Sequence, residues 1–218
     1  MRKTRRLAMC AQMKKLGTTL AILGLALTVV TTVEAADQGE VDVTIKSRAV
    51  STRNISRAAS DLFDIKVTRW STEDERNKLI QILESKGNHA LAAALGEEED
   101  AGWVRFDPRG GGGPGRDPRK TTLRYAREID RDGVKEIILI TNHYIGYGID
   151  PLARDGAKLR DYPVSFTLLK LKQDDRGQWK GIGRIFAGAR VRFDSAGGKF
   201  VIDEFPMDPV YLKDVTVQ

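Results

Sequence analysis

The side chains able to do chemistry in this sequence are few, and their spacing limits what they can do. His89 and His143 stand far apart, so no close histidine pair is available to seed a zinc site. A hydrolase nucleophile elbow needs glycine two residues before and two after its serine, and Ser195 has Phe193 and Gly197 there. Gly197-Gly198-Lys199 copies the end of a phosphate loop. Phe193 holds the earlier glycine position, however, and Phe200 replaces the magnesium-binding hydroxyl, which leaves a hairpin turn as the reading. Gly181-Ile182-Gly183-Arg184-Ile185-Phe186 lacks the third glycine of a dinucleotide fingerprint. Glu128, Asp130, Asp132 and Gly133 reproduce the first half of a calcium loop, but Leu139 stands where a bidentate glutamate must close it, as in a plain acidic hairpin turn. The sequence thus assigns no catalytic residue, no metal ligand and no cofactor.

Two features speak for binding. Between Arg105 and Arg127 lie seven cations (Arg105, Arg109, Arg116, Arg119, Lys120, Arg124, Arg127) against Asp107 and Asp117, around a glycine-rich run. Arg109, Arg116, Arg119 and Lys120 form a candidate anion-binding loop; the alternative is a solvated flexible loop. The absence of interleaved aromatics for base stacking argues against nucleic acid. The second feature is Arg127, in phase with Leu123, Tyr125 and Ile129 on the expected inner face of a strand. An inward arginine needs a partner, because a buried unpaired charge is costly. Either a structural carboxylate meets it, or it belongs with Tyr125, Asn142, His143 and Tyr144 to a polar ligand site at a barrel mouth.

The elements that must position these residues are mostly strands. Alternation of apolar and polar residues predicts strands over 41–45 and 63–67. Ser71-Thr72-Glu73-Asp74-Glu75 then supplies capping hydroxyls followed three residues later by carboxylates, and Leu79, Ile82 and Leu83 share a helical face, which predicts a helix over 72–86 ended by Gly87. Asn88 caps a second short helix over 89–95 ended by Gly96. A short strand over 103–106 leads into the loop over about 107–119, where Gly110 to Gly113 hold no regular structure. Strands over 121–129, 134–142, 164–172, 178–188, 190–194, 199–205 and 210–217 follow, several joined as hairpins. Apolar residues on both faces around Ile137 to Ile140 mark a central strand, and Gly181, Gly183 and Gly188 suggest sharp bending. The expected fold is mainly β (α+β by content): an antiparallel barrel or sandwich of about eight to ten strands with a short two-helix insertion over about 72–95.

The amino terminus reads as an export signal. Arg2, Lys3, Arg5, Arg6, Lys14 and Lys15 precede an uncharged run over 16–33, and Val33-Glu34-Ala35 offers small residues for cleavage after Ala35. At 18 residues the run also approaches the roughly 17–25 of a spanning helix, so a retained anchor is the alternative; its threonines and glycines favour cleavage. Arg5-Arg6 raises the twin-arginine route, but the lysines before the apolar run fit general secretion better. Without residues 1–35, lysine plus arginine falls from 36 to 30 and aspartate plus glutamate from 30 to 29, so the net charge drops from +6 to about +1. The basic character belongs to the leader, which removes a charge-based case for nucleic acid or membrane surfaces. Cys10 departs with it, leaving residues 36–218 as a single β-rich domain with no thiol or disulfide chemistry.

The order Phe63-Asp64-Ile65, Trp70 to Arg76, Leu123-Arg124-Tyr125-Ala126-Arg127, Ile137 to Thr141, Asp161-Tyr162-Pro163 and Leu212-Lys213-Asp214-Val215 resembles a family of exported bacterial β-rich proteins of unassigned function. The resemblance departs in the glycine-rich insertion. It implies an exported domain and carries over no site residues. Three functions stand open: a non-catalytic domain binding a small molecule or an envelope component, a hydrolase or isomerase using His143 with Asp150 or Asp161, and a structural envelope protein. Intact-mass measurement of protein recovered from the cell envelope is expected to give a chain beginning at Ala36; a mass that includes Met1 contradicts cleavage and leaves the retained anchor.

Overall fold

A computed structural model of the protein describes residues 40–50, 61–107, 119–145 and 159–218. They belong to the unit Ala35–Gln218 of the two into which the chain divides. The expected leader, most of the glycine-rich loop and Asp150 lie outside the described residues.

The described residues form ten strands and one helical element: β1 (Glu40–Val50), β2 (Asp61–Arg69), α1 (Glu73–Glu97), β3 (Gly102–Asp107), β4 (Arg119–Leu123), β5 (Tyr125–Arg131), β6 (Val134–Thr141), β7 (Val164–Gln173), β8 (Trp179–Asp194), β9 (Lys199–Glu204) and β10 (Val210–Val217). Nine strands run in the order β4-β3-β2-β1-β10-β8-β7-β6-β5, with β9 added to β8, and every pairing is antiparallel. The two ends of this order, β4 and β5, are separated in sequence by Arg124 alone, so the sheet curls into a nearly closed barrel. All nine strands send side chains into one apolar cluster, among them Ile45, Phe63, Ile65, Leu139, Leu169 and Leu212, all essentially inaccessible to solvent. That cluster is the barrel interior, and it is packed.

At Arg124 the chain changes both partner and face. Leu123 pairs with Gly102 of β3, whereas Tyr125 pairs with Ile140 of β6. Leu123 and Ala126 point into the barrel, while Tyr125 and Ile129 join a second apolar cluster outside it. The expectation of one strand over 121–129 with Leu123, Tyr125, Arg127 and Ile129 on an inner face is therefore corrected: the bend breaks the two-residue period and turns Tyr125 outward. The gap left where β4 departs is sealed by Ser71, whose amide donates to the Ala126 carbonyl (2.7 Å) and whose Oγ accepts from the Ala126 amide (3.1 Å).

The second cluster lies under α1. Leu79, Leu83, Leu91 and Leu95 pack with Tyr125, Ile140, Phe166 and Phe200, so the outer faces of β5 to β8 are covered as well. This is why β6 is apolar on both faces, as its sequence indicates. Thr72 caps α1, its Oγ1 accepting from the Glu75 amide (3.2 Å) while the Glu75 carboxylate accepts from the Thr72 amide (2.8 Å). The structure has one helical element over Glu73–Glu97, interrupted by non-helical backbone at Gly87 (φ 80°, ψ −173°), the residue at which the sequence ends its first helix. Asn88 does not cap a second helix. Its side chain instead pairs with the backbone of Val191 like an added strand residue, donating to the carbonyl (3.0 Å) and accepting from the amide (2.7 Å). Likewise 178–188 and 190–194 are not two strands but the single long β8, which pairs with β7 and β10 early and with β9 late.

Glycines in β8 permit close strand contact. A Cβ on Gly181 would stand 1.9 Å from the Lys170 carbonyl oxygen, and one on Gly183 would stand 2.4 Å from Leu169 Cδ2. Gly181→Ala is expected to cost about 2 kcal/mol or more in urea unfolding. A full-stability Gly181→Ala protein contradicts this register.

Candidate functional site

With the interior filled, the outer wall is where a site can form. The registers align its side chains in rows across β5, β6, β7 and β8: Tyr125, Ile140, Phe166 and Phe186; then Arg127, Ile138, Leu168 and Arg184; then Ile129, Glu136, Lys170 and Ile182. One end of this face is apolar and the other is charged. Strand β9 crosses above it, held by β8 and by Phe200, whose ring meets Tyr125 edge-on at 5.3 Å and Phe193 at 5.9 Å. Between β9 and the wall runs a groove of about 180 Å³, open to solvent, with Ile138, Phe166, Leu168 and Phe186 beneath and Phe200 and Ile202 beside it.

Three cations and one acid line it, Lys170, Lys199 and Glu136 at its charged end and Arg184 level with Leu168. Glu136 is only 10% exposed, and each of its oxygens meets one lysine, Oε1 with Lys170 Nζ at 2.9 Å and Oε2 with Lys199 Nζ. Burial works to raise the Glu136 carboxyl, but the hydrogen bonds from Lys199 and Lys170 outweigh it and hold the pKa below the ordinary carboxylate value. Arg184 is exposed and lies 5.5 Å over the Tyr211 ring, with no carboxylate partner among the described residues. The groove therefore carries two more positive than negative charges.

The residues singled out from sequence do not converge there. Tyr125 is buried under α1 beside Arg127, Arg76 and Glu73; burial pushes its hydroxyl up to about 12. Arg127 Nη1 meets Glu73 Oε1 at 2.5 Å, and Arg76 Nη1 meets the other Glu73 oxygen at 2.5 Å, so the arginine expected inside the barrel instead fastens the first turn of α1 to β5. Asn142 sits at the opposite end of α1, its Nδ2 2.8 Å from where a Cβ on Gly96 would lie. His143 is exposed, and its carbonyl accepts from Ser165 Oγ (2.8 Å). Tyr144 follows, half-buried. Asp161 is exposed near Arg190, which donates to its carbonyl (3.0 Å).

Of the candidate anion loop, Arg109, Arg116 and the Arg119 side chain lie outside the described residues. Lys120 is exposed, its ammonium 4.7 Å over the Trp103 ring. Glu128, from the half calcium loop, pairs with Lys135 at 2.5 Å. Among the described residues no three His, Cys, Asp or Glu side chains cluster as metal ligands.

Sequence reasoning missed Leu168, Lys170, Arg184 and Glu136. The available signal was that the off-interior positions of β7 and β8, Phe166, Leu168 and Phe186, are apolar too, which requires a second cover on that face. Comparison with family models, curated proteins and solved structures finds no match to this chain.

Because the Glu136 carboxyl is held below its ordinary value, its contribution to stability is complete above about pH 4.5 and is lost as pH falls through the lower folded-state pKa. Glu136→Gln is expected to cost on the order of 1–2 kcal/mol at pH 7. The deficit relative to wild type should shrink in acid. A deficit equal at pH 7 and pH 3 in urea unfolding contradicts the Lys170–Glu136–Lys199 arrangement.

Proposed function

We propose that this chain is a non-catalytic binding domain that works outside the cytoplasm and holds a small molecule in the groove between β9 and the outer wall of β6 to β8. The carrying observation is that groove: an apolar floor open to solvent, ending in cations that exceed the acid beside them. Concave apolar surface with a few oriented polar groups is the general form of a small-molecule site. The packed interior supports the outer wall as its place. The export reading rests on the cation-then-apolar leader and on the resemblance to exported bacterial proteins.

The hydrolase or isomerase alternative needs a histidine held by a carboxylate. His143 is exposed and makes its described contacts through its backbone, which favours the binding reading.

Native mass spectrometry of the protein purified from its own envelope is expected to show a bound non-protein mass, and Leu168→Trp, which fills the groove floor, is expected to lose it. A wild-type protein that is empty in every preparation, or a ligand retained unchanged by Leu168→Trp, contradicts this function.

A further inference from the structure

The chemistry of the groove narrows its ligand to one class, an inference that rests on the binding function proposed above. We propose that the groove takes a single-chain amphiphile with an anionic carboxylate head, a medium-chain fatty acid, with its tail toward Phe166 and Phe186 and its head between Lys170, Arg184 and Lys199.

Polarity along the strands sets the orientation. From the level of Phe166 to that of Lys170 is four residues of β7, about 13 Å of extended chain. Over that length the floor changes from Phe166 and Phe186, through Ile138 and Leu168, to Glu136 and Lys170. The apolar end continues onto Phe205, 43% exposed and packed against Phe186 at 5.0 Å between ring centroids. A surface that leaves a phenylalanine open to water beside an apolar groove gains by covering both. With about 180 Å³ the groove has room for one alkyl chain and not for a two-tailed molecule.

The charged end selects the head. Lys170 is 56% exposed at the groove, and Arg184 presents a guanidinium with no described carboxylate to neutralise it, a fork that matches a carboxylate through two parallel hydrogen bonds. A neutral head would leave that excess charge unanswered. A cationic head would add to it. Glu136 already occupies one side of both lysines, so it acts as an internal competitor of the incoming head. Its removal should therefore strengthen binding while weakening the fold, two opposite effects from one substitution.

The test is isothermal titration of the purified protein with dodecanoate, dodecanol and dodecyltrimethylammonium, each below its micellar range. Dodecanoate alone is expected to bind. Lys170→Gln and Arg184→Gln, both at exposed positions where folding is retained, should each weaken it about tenfold. Glu136→Gln should tighten it. Equal affinity for dodecanol, binding of dodecyltrimethylammonium, or Glu136→Gln weakening dodecanoate together with the lysine and arginine variants would each overturn the proposal. Dodecanoate that fails to bind a protein still carrying another mass in native spectra sinks the fatty-acid assignment and leaves the binding function standing; an empty protein that also ignores dodecanoate sinks both.

Discussion

The structure depends on one local event, the change of partner and face at Arg124. Because one uninterrupted segment supplies the last strand at each end of the sheet order, the barrel closes through the covalent chain and leaves little free edge at that seam. The Arg124 amide donates to the Ile140 carbonyl (3.0 Å), so the bend is itself hydrogen-bonded to β6. Its guanidinium reaches outward to the Glu98 carbonyl (2.9 Å) and the Asp100 carboxylate (2.5 Å), beside the end of α1. That helix has no basic residue in its last turn, and Arg124 and Arg69, which donates to the Glu99 carbonyl (2.7 Å), bring positive charge to its negative pole from the barrel wall.

From the bend follow two cores rather than one. Inside, side chains from every strand of the closed sheet fill the barrel. Outside, the outward turn of Tyr125 and Ile129 gives α1 and β9 an apolar surface to cover, and β5 to β8 are enclosed on both faces. Each buried large aliphatic or aromatic side chain contributes about 1.5–3 kcal/mol, enough for a second layer to hold a helix and an extra strand without disulfides. The cover is incomplete between β9 and the outer faces of β6, β7 and β8, and the groove is that remainder.

Much of this architecture was legible in the residues. Period-two patterning located the strands, and Thr72 with Glu75 marked the start of α1 by a hydrogen-bond exchange that local sequence encodes. Asp132 and Gly133, both at positive φ, mark the β5–β6 hairpin in the same way. The errors arose where tertiary contacts decide. Nothing in Leu123-Arg124-Tyr125 signals a change of face, because the signal lies in β3 and β6, two distant partners competing for neighbouring residues. Asn88 looks like a helix cap, since the Val191 backbone it satisfies lies 103 positions away. The groove is not visible in sequence for the same reason: Leu168 and Lys170 come from β7, Arg184 from β8 and Phe200 and Ile202 from β9, and only the pairing registers bring them together. Arg127 needs a partner on sequence grounds, and that partner, Glu73, comes from a helix that the strand pattern does not reach.

If the outer wall is the binding face, a ligand perturbs it and leaves the packed interior unchanged. Amide spectra of uniformly nitrogen-labelled protein, recorded during titration with dodecanoate, separate the two places residue by residue. Shifts are expected at Ile138, Leu168, Arg184 and Phe200 with Ile45, Ile65 and Leu139 unmoved; shifts centred on those interior residues would rule out the outer wall.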